Sequence, residues 1–355
     1  PSSEWRGLGG NRGSNGVTSG VSVTGVTDTT IQLANSANGY ITLTVSTAPG
    51  ITFGGTVNGA KALTATAAGG NVTFSGAVGA NQALGALTVN STGTTTFSST
   101  VSAASITTNS GGTTAINGSA ITTTGAQTYN DAVTLGAATT LNTTNSNVAF
   151  ASTLNSSSSA RALTISAGSG AVTFTGTVGN SLALGATNIT AATTTNSSTL
   201  VGSGVYAITG NAVINGAITG VTNLSVSGTT SIGADITTSG TQLYSGATTL
   251  TVNTTLTTTN SDVTFSGTLN SNNGTAKTLT IAAGGGTVTM NGAVGGSNVL
   301  GATTITAGNF TTGSSGTIAM GANALTINTD AITIGAAISG SSTLTIAPKT
   351  ASTTI

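Results

Sequence analysis

The sequence predicts an all-β chain coiled as a solenoid. Three observations carry that reading. First, one block recurs: KALTATAAGGNVTFSGAVGANQALGALTV begins at Lys61, RALTISAGSGAVTFTGTVGNSLALGATNI at Arg161, and KTLTIAAGGGTVTMNGAVGGSNVLGATTI at Lys277. Repetition on this scale marks stacked similar units, not a pocket folded once. Second, short apolar-small-apolar segments alternate with period two. Third, of 355 residues only 12 are charged, six of each sign, while small polar residues abound.

The period-two segments fall into two classes. One comprises Ile51-Thr52-Phe53, Val72-Thr73-Phe74, Val133-Thr134-Leu135, Val148-Ala149-Phe150, Val172-Thr173-Phe174, Val263-Thr264-Phe265 and Val288-Thr289-Met290. The other comprises Leu63-Thr64-Ala65, Leu87-Thr88-Val89, Leu163-Thr164-Ile165, Leu279-Thr280-Ile281 and Leu325-Thr326-Ile327. Each puts two apolar side chains on one face, the pattern of a half-buried strand. The classes alternate along the chain. Clusters of Gly, Asn and Ser separate them, and Asn58-Gly59, Asn117-Gly118, Asn215-Gly216 and Asn291-Gly292 read as turns with φ > 0. Asn-Gly also signals hairpins. A solenoid is preferred because each coil then needs only to match its neighbour. Nowhere is there a 3.6-residue apolar period to suggest a helix.

The larger repeat follows from offsets. TTTGAQTYNDAVTL at 122–135 matches TTSGTQLYSGATTL at 237–250, and SNVAFASTLNS at 146–156 matches SDVTFSGTLNS at 261–271. The predicted organisation is a glycine-rich arm or cap over 1–20, then a continuous solenoid over 21–355. Its coils are irregular, each about 20 residues long, at the short end of the range for stacked repeats. The superrepeats lie near 51–121, 122–236 and 237–355, the first incomplete.

Composition limits the partners. Zero net charge gives no steering toward nucleic acid or an anionic membrane, and little repulsion between copies. The absence of Cys rules out disulfides and thiolate metal sites. No apolar run reaches membrane-spanning length. The opening at Pro1 suggests a processed or excised chain. Low charge also suits a stack, since a charged residue would meet its own copy directly above and below.

Catalytic signatures are missing. The chain has no His, the commonest general base and metal ligand. Asp131 is replaced by Gly246 in the next copy, and Asp262 stands where the previous copy has Asn147. A paired-carboxylate glycan hydrolase would need acids that recur together, so Asp262 reads as a turn cap. Lys61, Arg161 and Lys277 do recur before the Leu-Thr strands. They read as exposed corner charges, with a line of anion contacts as the sharper alternative. Gly168–Gly170 and Gly284–Gly286 lack the lysine and helix of a phosphate loop. No catalytic, metal-binding or cofactor-binding residue is assigned.

Candidate subunit contacts remain. Trp5, the only tryptophan, sits with Arg6 and Leu8 in the glycine-rich arm, a combination suited to anchoring an interface. Tyr129 and Tyr244 are equivalent in the two copies. They are either contact sites or packing residues.

TTTGAQTYNDAVTL, RALTISAGSGAVTFTG and KTLTIAAGGGTVTMNG resemble the repetitive passenger regions of bacterial surface exoproteins, the class of filamentous-haemagglutinin-like adhesins and autotransporter passengers. The resemblance covers roughly 40–350. It implies a right-handed parallel β-helix, exported to the cell surface, with roles in adhesion, aggregation and biofilm. The expected function is therefore a non-enzymatic extracellular scaffold that forms or extends a fibre, with other copies of itself as partners, end to end or laterally. The alternative is a surface module that binds a glycan, a host surface or ice. Ice binding is prompted by segments such as Thr64-Ala65-Thr66 and opposed by the irregular coil length.

Overall fold

The computed structural model describes residues 50–351 in full and, before them, the strands Val21–Ser22, Ala34–Asn35 and Tyr40–Val45. The chain divides into two units, residues 1–184 and 185–355. Both are parallel β-solenoids, all-β, and each coil runs along three sides.

In the first unit, one side stacks Gly50–Phe53, Asn71–Phe74, Thr94–Phe97, Thr113–Ile116, Ala132–Leu135 and Leu154–Ser156, all parallel. Ile51, Val72, Thr95, Thr114, Val133 and Leu154 are successive partners on this side. Their numbering steps by roughly 20 residues per coil, the length that the sequence predicts. A second side carries the ladder Leu63, Leu87, Ile106, Gln127, Val148 and Val172. The third begins as single-residue bridges from Val57 to Val78 to Val101, then widens into strands at Ile121, Leu141 and Ile165. Period-two patterning marks the first two sides and the later part of this one, at Leu163–Ile165. It gives no signal at Val57 and Val78, because a single valine between glycine-rich corners has no period.

The second unit repeats the plan. One side runs from Thr187 through Tyr206, Leu224, Gln242, Val263, Val288 and Phe310 to Ile332. Another runs through Thr230, Thr248 and Leu269 to a bridge at Val294 and on to Ile318 and Ile338. The third runs through Ile218, Ile236, Leu256, Ile281, Ile305 and Ile327 to Ile346.

Inward positions hold the core, and like stacks on like. Phe53, Phe74 and Phe97 lie face over face, with ring centroids 4.7 and 5.2 Å apart. Tyr129, Phe150 and Phe174 do the same at 5.1 and 5.3 Å, and Tyr244 covers Phe265 at 5.0 Å. These separations are those of neighbouring strands. Offset-stacked rings at such distances add to simple burial.

The corners set the glycine pattern, and here the structure corrects a turn assignment. Of the four Asn-Gly pairs, only Gly59 has positive φ. At Gly118 a side chain would run into the carbonyl of Ser99, at Gly216 into Ser198, and at Gly292 into Gly267. Those glycines serve close approach between coils, not an unusual dihedral. Among the described residues, the non-glycine residues with positive φ are Asn145 and Asn260, at 53° and 52°. They are equivalent in the two copies, and Asn tolerates this region better than most residues.

Some inward positions are filled by threonine. The Thr248 hydroxyl is buried without a hydrogen-bond partner, while the equivalent residue of the preceding copy is Val133, fully buried. An unsatisfied buried hydroxyl costs about 1–3 kcal/mol. Thr248→Val should therefore raise the denaturant midpoint, with a gain of about 1–2 kcal/mol. A loss of stability in equilibrium unfolding would show that the hydroxyl has a partner the structure does not reveal.

Candidate functional site

Two kinds of place could carry function: polar groups enclosed in the solenoid, and hydroxyl ranks on its outer faces.

The enclosed groups centre on the motif that recurs at 122–135 and 237–250. Gln127 and Tyr129 are both inward and buried. The Gln127 side-chain amide donates to the carbonyls of Ile121 at 3.1 Å and Asn142 at 2.9 Å, and to Thr123 Oγ1 at 3.3 Å. The Tyr129 hydroxyl donates to Gln127 Oε1 at 3.0 Å. The copy repeats the set. Gln242 donates to Ile236, Thr257 and Thr238, and Tyr244 donates to Gln242 Oε1 at 3.0 Å. Placing an amide beneath a phenol satisfies both polar groups inside an apolar stack. Burial pushes both phenols well above their ordinary pKa. Of the two readings open for Tyr129 and Tyr244, burial selects packing: neither ring reaches the surface, so neither offers a subunit contact. Tyr206 is likewise buried, its hydroxyl bound to Asn196 Oδ1 at 2.7 Å. Trp5, Arg6 and Leu8 lie outside the described residues.

The described acids are held by the coil stack. Asp262 Oδ1 accepts the N–H of Thr287 at 2.7 Å, and Asn147, its equivalent, accepts the N–H of Ala171 at 2.9 Å. Asp235 receives Thr255, and Asp330 receives Thr350, both at 2.7 Å. Asn71, Asn211 and Asn223 make the same bond to Thr94, Thr229 and Thr241. In every case an acceptor at one corner takes a backbone N–H of the next coil. Amide or carboxylate serves equally, which is why Asp262 and Asn147 interchange. The Thr350 N–H, with its hydroxyl and Lys349, draws the Asp330 pKa below its usual value.

Asp131 differs. It is 3% exposed. Thr108 and Thr114 donate to its Oδ1 at 2.9 and 2.8 Å, and its Oδ2 has no partner. Burial raises its pKa, and the two threonines oppose that rise only in part. No group of three or more His, Cys, Asp or Glu that could hold a metal ion is found among the described residues.

On the outer faces, ladder register aligns threonines. In the second unit Thr255, Thr280, Thr304, Thr326 and Thr345 stand in one column over five successive coils, all at least partly exposed. The coil shortens at every step of this column, from the Thr255–Thr280 turn to the Thr326–Thr345 turn. Irregular coil length, taken from the sequence as an argument against such an array, is absorbed in the corners and leaves the strands aligned. In the first unit Thr64, Thr88, Thr107 and Thr128 form a similar outward column. Spacing within a column is about 4.8 Å.

Comparison of the chain with family models, with curated proteins and with solved structures finds no match. Among the described residues no helix is long and apolar enough to cross a membrane.

Asp131 supplies a pH prediction. Its folded-state pKa is raised, so its contribution is most favourable below the unfolded value. That contribution is lost as pH rises through the folded value. Asp131→Asn keeps an acceptor for both threonines and removes the charge. The variant should melt at higher temperature than the parent at neutral pH, and the difference should vanish in acid. Subtracting the two pH profiles isolates Asp131 from Asp330, whose lowered pKa acts in the opposite direction. A difference that does not vary with pH would refute the assignment.

Proposed function

We propose that the chain is a non-enzymatic scaffold exposed outside the cell or on a bacterial cell surface, where its solenoid supports adhesion, aggregation or matrix formation. The observation that carries this reading is the use made of the acids. Asp235, Asp262 and Asp330 each hold the next coil through a backbone N–H, and Asp131 is enclosed by two threonines. Among the described residues the acids are thus committed to holding coil on coil. The outward strand positions are mostly small neutral side chains such as Thr and Ser, suited to close packing against a neighbour or a surface.

The column Thr255, Thr280, Thr304, Thr326, Thr345 favours a second reading. A rigid row of hydroxyls with strand-to-strand spacing suits a repetitive ligand such as a glycan surface or ice. Thermal hysteresis of a solution of the chain would select it, provided that Thr304→Val together with Thr326→Val alters the activity. No hysteresis, or hysteresis unmoved by the double variant, would remove ice from consideration.

The main reading is tested by display. Fused to an outer-membrane anchor, the chain should increase cell–cell clumping and attachment to glass or glycan-coated plates above the anchor alone. Attachment equal to the anchor, or turnover of a polysaccharide by the purified chain, would overturn it.

A further inference from the structure

We propose that Asn273 is a site of spontaneous covalent modification: the backbone nitrogen of Gly274 attacks its side-chain amide, and the residue ages to aspartate and isoaspartate. Asn-Gly is the pair most open to this reaction, because glycine puts no side chain in the way of the attacking nitrogen. How fast it runs depends on how firmly the fold holds the pair.

The four corner pairs are held firmly. The N–H groups of Gly59, Gly118 and Gly216 donate to the carbonyls of Gln82, Phe97 and Asn196 at 3.2, 3.0 and 3.2 Å. Gly292 lies so close to the Gly267 carbonyl that a side chain there would come within 2.3 Å of it. In each pair the attacking nitrogen, or the backbone that must turn to present it, is fixed between coils.

Asn273-Gly274 is a fifth described pair, and its setting differs. It sits at a corner that the larger repeat builds twice, on equivalent anchors. The N–H groups of Ser157 and Asn272 donate to the carbonyls of Leu135 and Leu250 at 3.0 and 2.8 Å. The N–H groups of Arg161 and Lys277 donate to Ser156 Oγ and Ser271 Oγ at 2.9 and 2.8 Å. Between these anchors the first copy has Ser158-Ser159-Ala160, and the second has Asn273-Gly274-Thr275-Ala276, one residue more. The stack holds the anchors and leaves the tip free: Asn273, Gly274 and Thr275 are all exposed. Gly274 has a φ of 110° and open space where a side chain would stand. Among the described residues no hydrogen bond ties down its N–H. The Asn273 side chain accepts one long bond, from Asn298 Nδ2 at 3.3 Å.

The reaction balances with water as co-reactant. The Gly274 nitrogen gives up its proton and bonds to Asn273 Cγ. The Cγ–Nδ2 bond breaks, and the nitrogen leaves as ammonia with that proton. Water then opens the resulting succinimide ring at either carbonyl, giving aspartate or isoaspartate. The chain exchanges ammonia for water and gains one carboxylate on a formal net charge of zero. The new charge lies outside the strand ladders, so it meets no copy of itself in the stack. It adds a repulsion between copies that the parent chain lacks.

The inference does not rest on the scaffold role, and the display experiment does not bear on it. The full chain is incubated at mildly alkaline pH, and peptide mapping with tandem mass spectrometry places each gain of about 1 Da on a named residue. Position 273 should convert at least about tenfold faster than positions 58, 117, 215 and 291, the factor that about 1.4 kcal/mol of local opening supplies. The rate should rise with pH, since the attacking nitrogen must lose its proton. Gly274→Ala should slow it by shielding that nitrogen, with far-UV circular dichroism unchanged. In urea the five pairs should convert at similar rates, which separates the fold from the local sequence. Asn15-Gly16 and Asn38-Gly39 lie outside the described residues and are left out of the comparison. No conversion at position 273, a rate there equal to that of the corner pairs in the folded chain, or the same ranking in urea would each overturn the inference.

Discussion

Everything in this molecule follows from one constraint: each residue in a strand lies one strand spacing, about 4.8 Å, from the residue at the same position of the next coil. A side chain must therefore be compatible with its own neighbour in the column. Rings satisfy this by stacking, as Phe53, Phe74 and Phe97 do with interplanar angles of 6° and 13°. Branched aliphatics satisfy it by nesting. Like charges do not satisfy it at all, and the described ladders set no charged residue in register with another. The near-absence of charge is thus a structural requirement before it is a property of the surface.

The same constraint governs the corners. Apart from bulges at Thr190–Thr193 and Ile218–Val221, the described strands hold register while coil length varies, so extra residues leave the stack between strands and return to it. Backbone passes directly over backbone there, and side chains would collide. Glycine at 118, 216 and 292 removes the collision. The backbone N–H groups that emerge at these corners still need acceptors. Short Asx side chains from the coil before provide them, as Asn147 does for Ala171 and Asp262 for Thr287. Corner and strand therefore divide the work: strands carry the apolar core, and corners satisfy the polar backbone between coils.

This division explains what could be read from the sequence. Val72-Thr73-Phe74 and Leu163-Thr164-Ile165 announce themselves because two inward residues flank an outward one, and the strand periodicity is visible over three positions. The early coils of the side that later carries Leu163–Ile165, marked by Val57 and Val78, give no such signal. One inward residue per coil is enough when the coils above and below supply the rest of the core, and only the three-dimensional register shows that these valines lie over one another. Tyr129 and Tyr244 could not be placed for a related reason. A tyrosine on an alternating strand can face either way by pattern alone. The residue that decides is Gln127 or Gln242, two positions before it, whose amide accepts the phenol inside the core. The paired Q-x-Y spacing in both copies was the available signal. Asp131 was legible only as an acid that the next copy lacks. Its enclosure depends on Thr108 and Thr114, which belong to the preceding coil.

A stack of this kind is indifferent to sequence order in one sense and sensitive to it in another. Any coil whose inward residues fit its neighbours can be added, which is how a block of several coils can recur with Gly246 in place of Asp131 or Asp262 in place of Asn147. Each internal coil is held from both sides, so a poor inward choice such as the Thr248 hydroxyl is tolerated. A terminal coil is held from one side. There the same apolar rank that stabilises an inner coil becomes exposed area, worth about 25 cal/mol per Å² to whatever covers it. The first described coil meets this with antiparallel strands. The last leaves Ile334, Leu344 and Ile346 open. That exposure comes from the packing rule that builds the body: an inward apolar rank is sealed only where a coil is described on both sides of it.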